Sequence, residues 1–405
     1  MRRAYLDHAA TAPTRSEVVA ALSAALQMTG NPSAQHDSGR RARSALEEAR
    51  ENVADLLRVR PSEVLFTSGG TESDNIGILG TYRRCVADNP SRRRIIMGAI
   101  EHPAVRDAVF ALEKNEGATI TIVAPRPDGI IATEDIRAAI EDPNNGGPDN
   151  VALVTVMAVN NEIGTIQPTA AIAETCAEHA IAFHCDAVQG ISVLDLPLDH
   201  PGITTAALSG HKLGSPVGIG VLIARRDARI APISYGGGQE RALRSGTLGL
   251  ALARSFETAL HSVVTHRDTE VARLVALRDR LAQGILESIP DAHITGAWAP
   301  TDTTQRSASN VHVLIPQAQG DSLLFLLDAA GVECSTGSAC HSGVTQPSHV
   351  VLALGHDAEL ATGALRFSLG YTTTDADIDL ALTALPEAVE RARNVHRLTT
   401  RKKTA

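Results

Sequence analysis

The sequence is poor in aromatic residues, in cysteine and in long apolar runs. Aromatic residues make up 3% of the 405 residues, with one tryptophan, so an aromatic-rich surface for nucleic acid or carbohydrate is not expected. No apolar run approaches the roughly 18 residues that a transmembrane helix needs. Cations are not in excess either, because 37 lysines and arginines stand against 46 aspartates and glutamates, a net charge of −9. This balance argues against general nucleic-acid binding.

The cysteines match neither a disulfide framework nor a zinc knuckle. Their number is odd, and no two are separated by two residues. The N-terminus reaches Asp7 before any hydrophobic segment develops, so we expect no signal peptide. Both features favour a reducing, cytoplasmic environment. Each cysteine is then either a packing residue or a reactive thiol; the five are Cys85, Cys176, Cys185, Cys334 and Cys340.

Short apolar segments alternate with helical spacing over the first two thirds of the chain, which at 43% hydrophobic and 20% charged residues has the composition of a folded protein. Strands are predicted at residues 64–66, 94–97, 119–123, 151–156, 181–185, 204–208 and 219–223. Helices are predicted at residues 16–28, 40–58, 103–116, 134–141, 168–180 and 248–288. This alternation predicts an α/β fold whose mainly parallel sheet lies between helices.

The last third of the chain has a different pattern. Strands near 308–314 and 364–369 and helices near 320–330 and 375–395 predict a second, smaller α+β unit. The length of 405 residues also favours two or three domains. We therefore divide the chain into a large domain at residues 16–255 and a small domain formed by residues 1–15 and 256–405.

A lysine follows the predicted strand at 204–208. Lys212 stands in the segment Ser209-Gly210-His211-Lys212, among small residues and before further glycines. A lysine so placed can form a Schiff base with a cofactor carbonyl and later move aside for the substrate. Taken alone, the segment is more typical of a surface lysine in a loop.

An aspartate ends another predicted strand. Asp186 lies at the carboxyl edge of the strand at 181–185, where ligands of parallel sheets bind. A carboxylate there can pair with a pyridinium nitrogen and keep it protonated, so that the ring accepts electrons. The alternative is an aspartate that caps the next helix.

Two further segments suit an anion and a flat ring. Residues 68–73 read Ser-Gly-Gly-Thr-Glu-Ser between a strand and a helix, where backbone N–H groups can approach a phosphate. The segment matches neither a Walker A loop nor GxGxxG, and alone it is weak evidence. His102 follows the strand at 94–97 and can stack on a ring or transfer a proton; the alternative is a turn that starts a helix at Pro103.

Taken together, these segments are the parts of a pyridoxal phosphate site, and their order resembles the class V (fold type I) aminotransferase family. Within that family the sequence is similar to the cysteine desulfurases of the NifS/IscS type. The resemblance runs nearly end to end. It is carried by residues 5–11, 31–33 with 36 and 39–40, 67–73, 101–102, 159–164 with 167–168, 184–189, 209–212, 236–241 with 244–247, 335–342 and 365–370.

The chain departs from the family at three places. Asp74 stands where the family usually has asparagine, and Cys185 stands where it usually has an apolar residue. After the lysine, residues 213–218 read Leu-Gly-Ser-Pro-Val-Gly instead of the commoner Tyr-Gly-Pro-Lys-Gly pattern. No reacting group is removed, but the subfamily and the sulfur acceptor stay open.

The resemblance implies a role for each matching residue. Lys212 would bind pyridoxal 5'-phosphate covalently and move the substrate Cα proton, and Asp186 would bind the pyridine nitrogen. His102 would stack on the ring and act as acid and base. The remaining contacts would be Asn161 and Gln189 near the ring hydroxyl, Gly70, Thr71, Ser209 and His211 at the phosphate, Thr247 at the phosphate of the neighbouring subunit, and Arg366 with Asn161 at the substrate. A homodimer is therefore implied.

Cys340 is the predicted nucleophile. It lies in a segment of small residues with two glycines, typical of a mobile loop that can carry a reactive thiol. Cys334, six residues earlier, follows an apolar stretch and is interpreted as a core residue at a strand end. No metal site is predicted, because the spacing of His8, His36, His184 and His349 is not that of ligands.

The resemblance implies that L-cysteine is converted to L-alanine while its sulfur passes to Cys340 as a persulfide and then to an acceptor protein. A selenocysteine lyase or another class V aminotransferase is the alternative enzyme, and a catalytically silent scaffold is the alternative of another class. The acceptor could belong to iron–sulfur cluster assembly, tRNA thiolation, DNA phosphorothioation or a biosynthetic pathway. Direct binding of nucleic acid or of a membrane is not predicted.

Overall fold

The structure is a computed structural model, and it describes residues 2–337 and 347–403, with side chains up to residue 398. The strands of these residues are β1 (Ala4–Tyr5), β2 (Val64–Thr67), β3 (Arg94–Gly98), β4 (Thr119–Val123), β5 (Val151–Thr155), β6 (Ala182–Asp186), β7 (Thr205–Ser209), β8 (Gly220–Ala224), β9 (His293–Ile294), β10 (Asn310–Leu314), β11 (Val332–Glu333) and β12 (Ala364–Ser368).

The helices lie between the strands, much as the sequence predicts. They are α1 (Ser16–Leu26), α2 (Asp37–Leu57), α3 (Gly70–Asn75), α4 (Thr81–Asp88), α5 (Pro103–Glu116), α6 (Thr133–Glu141), α7 (Thr169–Glu178), α8 (Leu250–Ser288), α9 (Gly320–Ala329), α10 (His349–Ala353), α11 (Ala358–Ala361) and α12 (Asp375–Lys403). A π-helical turn, Ile76–Gly80, joins α3 to α4. The last helix continues eight residues beyond its predicted end.

Seven strands form the main sheet, in the order β2-β8-β7-β6-β5-β3-β4. All neighbours are parallel except β8, which runs antiparallel to both β2 and β7. The prediction of an α/β fold with a mainly parallel sheet is confirmed. The inner strands are buried except for Ala182, the half-buried first residue of β6. The sequence of β5 reads Val-Ala-Leu-Val-Thr without an alternating polar face because helices cover both sides.

The last third of the chain builds a smaller antiparallel sheet in the order β12-β10-β9. The predicted strands near 308–314 and 364–369 are β10 and β12, which pair from Asn310 opposite Ser368 to Leu314 opposite Ala364. The two-residue strands β1 and β11 pair in parallel and bring the N-terminal segment beside this unit. Strands this short carry no periodicity, so the sequence pattern does not predict them.

The hydrophobic core forms two main clusters. One lies around the seven-stranded sheet, and the other packs Ala4 and Leu6 against side chains from residues 274–392. Helix α8, 39 residues long, contributes to both, with Phe256 in the first and Leu281 in the second. The division at residues 16–255 stays a prediction.

No helix within residues 2–337 and 347–403 is both long and apolar enough to cross a membrane. Over the same part of the chain, no group of three or more histidine, cysteine, aspartate or glutamate side chains is placed to hold a metal ion.

Candidate active site

A cavity of about 540 Å³ opens where β6 and β7 end. Most residues singled out from the sequence line it: Gly70, Thr71, His102, Asn161, Asp186, Gln189, Ser209, His211, Lys212 and Arg366. Thr247 is exposed and is not among the residues that line it. Cys340 lies outside the described residues. Another cavity, of about 650 Å³, lies among arginines near Arg58 and Arg226, but it lacks this combination of reactive groups.

Lys212 ends a 3₁₀ turn that directly follows β7. Its Nζ donates hydrogen bonds to the carbonyl oxygens of Ala9 and Ala10, at 2.6 and 2.7 Å. Burial, and then the charge of Arg366, lower the pKa of Lys212 to about 8. Gln189 Nε2 donates to the same Ala9 oxygen at 3.0 Å. An amine with such a pKa has an appreciable neutral, nucleophilic fraction near neutral pH.

Asp186 is the last residue of β6, the central strand of the sheet, and is 5% exposed. Its Oδ1 accepts a hydrogen bond from the Val188 N–H at 2.9 Å. Burial, and then the neighbouring carboxyl of Asp74, raise the pKa of Asp186 to about 6. The group can therefore hold or release a proton close to physiological pH.

His102 caps helix α5, because its Nδ1 accepts a hydrogen bond from the Ala104 N–H at 3.1 Å. This bond defines a tautomer in which Nε2 carries the proton. Burial lowers the pKa of His102, while the charge of Asp186 acts in the opposite direction. The neutral ring lines the same cavity as Lys212 and Asp186.

The N-terminus of the helix that begins at Gly70 forms another part of the cavity wall. A Cβ at Gly70 would lie 2.9 Å from Val188 Cγ2 and 3.3 Å from Ser209 Cβ, so only glycine lets the helix start this close to the end of β7. Backbone N–H groups at a helix start attract an anion. His211 also lines this wall, and its Nδ1 is 2.8 Å from Thr11 Oγ1.

Arg366 lies on β12 and is 5% exposed. Its Nη2 pairs with Asp7 Oδ1 at 2.7 Å, and its Nη1 donates to the Asn161 carbonyl oxygen at 2.9 Å. Its Nε is buried without a hydrogen-bond partner. A planar guanidinium with a free donor suits a small carboxylate in the cavity.

Several residues in or beside the cavity have no role that the sequence pattern predicts. Asp7, Ala9 and Ala10 belong to the segment 5–11 that was noted only for its resemblance, yet Asp7 holds Arg366 and the two alanines hold Lys212. Asp74 was noted only as a departure from the family, although it lines the cavity. The order of the segments along the chain was the only available signal, since these contacts join distant residues.

The described cysteines have little thiolate character. Cys176 and Cys185 are buried among apolar side chains, and burial raises the pKa of Cys176 to about 12. Burial also raises the pKa of Cys185, of Cys334 and of the partly buried Cys85. Cys334 packs against the second core cluster directly after β11.

Comparison with known proteins identifies the family. The model of the class-V aminotransferases matches residues 4–381. An IscS-like cysteine desulfurase of Mycobacterium tuberculosis is 46% identical over 390 residues, which are 96% of this chain and 97% of that protein.

Solved structures support the same family assignment. A NifS-like protein superposes with a TM-score of 0.84 at 29% identity, covering 96% of this chain and 99% of its own. The structure described as SspA in complex with cysteine has a TM-score of 0.75 at 30% identity, over 92% of this chain and all of its own. The chain therefore belongs to the class-V aminotransferase family, in the branch of the NifS/IscS-type cysteine desulfurases.

Proposed function

We propose that the protein is a pyridoxal 5'-phosphate-dependent cysteine desulfurase that converts L-cysteine to L-alanine. The observation that carries this is the single cavity in which Lys212, Asp186, the Gly70 helix start and Arg366 meet. It is supported by relatives named cysteine desulfurase and by a structural neighbour described with bound cysteine. No observation favours the selenocysteine lyase or another aminotransferase.

The cavity walls fit the proposed cofactor. Lys212 is the amine that would bind its carbonyl, and the buried carboxyl of Asp186 suits a protonated ring nitrogen. His102, Asn161 and Gln189 would line the ring. The phosphate would meet the helix start at Gly70 together with Thr71, Ser209 and His211. When bound, pyridoxal phosphate supplies an electron sink next to the substrate Cα.

The chain's own groups have defined tasks in the proposed reaction. Arg366 binds the substrate carboxylate, and its contact with the Asn161 carbonyl oxygen orients the guanidinium. Lys212 removes the proton from Cα, and the carbonyl oxygens of Ala9 and Ala10 hold the resulting ammonium. His102, neutral and with Nε2 protonated, serves as an acid and base beside the ring.

Sulfur leaves the substrate by transfer to a thiolate. The Sγ of Cys340 attacks the substrate sulfur, the substrate Cβ–S bond breaks, and its electron pair stays on Cβ, where a proton completes the methyl group of alanine. The sulfur remains on Cys340 as a persulfide. Cys340 stays a prediction from the sequence; the elevated pKa of Cys85, Cys176, Cys185 and Cys334 supports it by making those thiols poor nucleophiles.

The proposed function also includes partners of the protein and a location in the cell. A homodimer, a sulfur-accepting protein and a cytoplasmic location remain predictions. The exposed position of Thr247, away from the cavity of its own chain, is compatible with a contact to the site of a second subunit. The IscS names of the relatives favour iron–sulfur cluster assembly among the possible uses of the sulfur.

The test compares Cys340→Ser with the matched control Cys334→Ser. Alanine and sulfide released from L-cysteine are measured for both, and mass spectrometry of the trapped wild-type protein locates an added sulfur of roughly 32 Da. We expect Cys340→Ser to bind the cofactor but to lose turnover by orders of magnitude, since a serine hydroxyl is scarcely ionised at neutral pH. Sulfur on Cys334, normal turnover by Cys340→Ser, or transamination without sulfide release would contradict the proposal.

A further inference from the structure

Beneath the cavity lies a buried pair formed by Asp74 and His184. Asp74 is 1% exposed and His184 is fully buried. The Nε2 of His184 is 3.1 Å from Asp74 Oδ1, and its Nδ1 is 2.8 Å from Thr205 Oγ1. The histidine therefore bridges the helix that carries Asp74 to strand β7, and one face of Asp74 still lines the cavity.

The backbone makes room for this pair. A Cβ at Gly77 would lie 2.5 Å from His184 Nδ1 and 3.2 Å from Thr205 Oγ1, so the glycine one turn after Asp74 lets the imidazole enter between helix and sheet. The helix changes to π-helical geometry over Ile76–Gly80 at this point, a local irregularity that is frequent at functional sites. The backbone at Gly77 and the π-helical turn therefore leave space for the buried Asp74–His184 pair.

Asp74 lies in a group of buried acids. Burial raises the pKa of Asp74 to about 8, and the charge of Asp74 in turn raises the pKa of Asp186. The titratable groups that interact with it are His184, Cys185 and Asp186 on β6 and Glu101 after β3, and Asp186 interacts in turn with His102. Two neighbouring carboxyls resist double ionisation, so the state of one controls the other.

We propose that Asp74, held by His184, is a positioning residue that acts through Asp186: when Asp74 ionises, its negative charge makes the proton between Asp186 and the ring nitrogen of the cofactor more firmly held. This inference rests on the proposed function, because it assigns Asp186 to the ring nitrogen. Under this proposal, Asp74 paired with His184 places an ionisable carboxyl beneath the cavity, where an asparagine would place an amide that cannot ionise.

The first measurement is the pH titration of the visible absorbance, at about 400–430 nm, of the holoenzyme without substrate. Asp74→Asn keeps an oxygen that can accept from His184 Nε2, so the fold is retained. Because Asp74 ionises only around pH 8, the wild-type and Asp74→Asn curves should agree below about pH 7 and separate above it. The midpoint of a transition in that upper range should lie about half a unit or more lower in Asp74→Asn, because the anion that stabilises the proton is gone. Asp377→Asn is the matched control, since Asp377 is a buried carboxyl near Arg2, outside the cavity, and it should titrate like the wild type.

The second measurement uses the apoenzyme and does not depend on turnover. An acid with a raised pKa stabilises the folded state below its unfolded pKa and loses that effect as pH rises through its folded pKa, here about 8. The thermal midpoint should therefore fall more between pH 6 and pH 8.5 in the wild type than in Asp74→Asn, by about 2 °C or more.

The outcomes separate the two proposals. A wild-type protein that shows no visible band with pyridoxal phosphate contradicts the proposed function. A visible band with an unchanged midpoint in Asp74→Asn, or an equal shift of the midpoint in Asp377→Asn, overturns the role of Asp74. A change in thermal stability without a spectral shift would show that the Asp74–His184 pair has only a structural role.

Discussion

Burial and neighbouring charge decide the chemistry of single residues in this cavity. Lys212 has a pKa of about 8 because the folded chain removes it from water and places it near Arg366. Asp186 has a pKa of about 6, raised by burial and by Asp74. The two groups thus titrate much closer together than a free lysine and a free aspartate, which favours proton movement between substrate and protein.

Lys212→Ala should abolish covalent attachment of the cofactor and lower the turnover of L-cysteine by about 100-fold or more, because the Cα proton loses its acceptor. No other lysine lines the cavity among the described residues. Borohydride reduction of the wild type followed by peptide mapping should find the pyridoxyl group on Lys212. Finding it on another lysine would refute the assignment.

Arg366→Ala should raise KM for L-cysteine about ten- to a hundred-fold, since a charge-assisted pair with the substrate carboxylate is lost. The cofactor should stay bound, which absorbance can verify. Arg273→Ala is a suitable comparison, because this arginine contacts Glu270 and carbonyl oxygens away from the cavity. An unchanged KM for Arg366→Ala would place the carboxylate contact elsewhere.

At the scale of elements, the site depends on where strands end and helices begin. Asp186 ends β6 and Ser209 ends β7, and both strands are parallel, so their last residues meet at one edge of the sheet. The helix from Gly70 starts against this edge, and the N-terminal segment crosses it so that Ala9 and Ala10 reach Lys212.

Gly70→Ala should weaken binding of pyridoxal phosphate about tenfold, a loss comparable to one hydrogen bond to a charged group. The added methyl would meet Val188 and Ser209, so the helix start must move away from the strand end. Fluorescence titration of the apoenzyme measures the dissociation constant, and thermal unfolding shows whether the fold is kept. A folded variant with unchanged affinity would exclude the helix start as the phosphate site.

At the scale of the whole molecule, the cavity joins segments from both hydrophobic clusters. Strand β12 of the smaller sheet supplies Arg366, and the seven-stranded sheet supplies Asp186 and the lysine turn. The ion pair between Asp7 and Arg366 spans 359 positions of sequence and ties the N-terminus to the same place. Thr247, by contrast, is exposed on the surface of its own chain.

Mixed dimers test whether Thr247 acts on the neighbouring subunit. Thr247→Ala alone should weaken binding of pyridoxal phosphate about tenfold, through loss of one contact to a charged group. A mixed dimer of Thr247→Ala and Lys212→Ala subunits should regain one site with wild-type affinity, because that site combines Lys212 of one chain with Thr247 of the other. No gain on mixing would show that Thr247 acts within its own chain or not at all.

Much of the fold, together with Lys212, Asp186, His102 and the segment 68–73, followed from local sequence, whereas the other candidate cavity residues followed from the resemblance to the family. Continuous apolar runs such as 151–156 predict buried parallel strands, and reactive residues at their ends predict a ligand site, because both signals lie within a few neighbouring positions. The ordered motifs added the family. The helix boundaries were correct to within a few residues except at the C-terminus, where α12 continues to Lys403.

Contacts between distant residues were decided only by the tertiary structure. The pairing of Asp7 with Arg366, the hold of Ala9 and Ala10 on Lys212, and the burial of Asp74 against His184 leave no local pattern. The short strands β1 and β11 exist only because they pair with each other. The sequence by itself therefore determined which residues could react, whereas their pKa values and partners depend on burial and proximity, which arise only when the chain is folded.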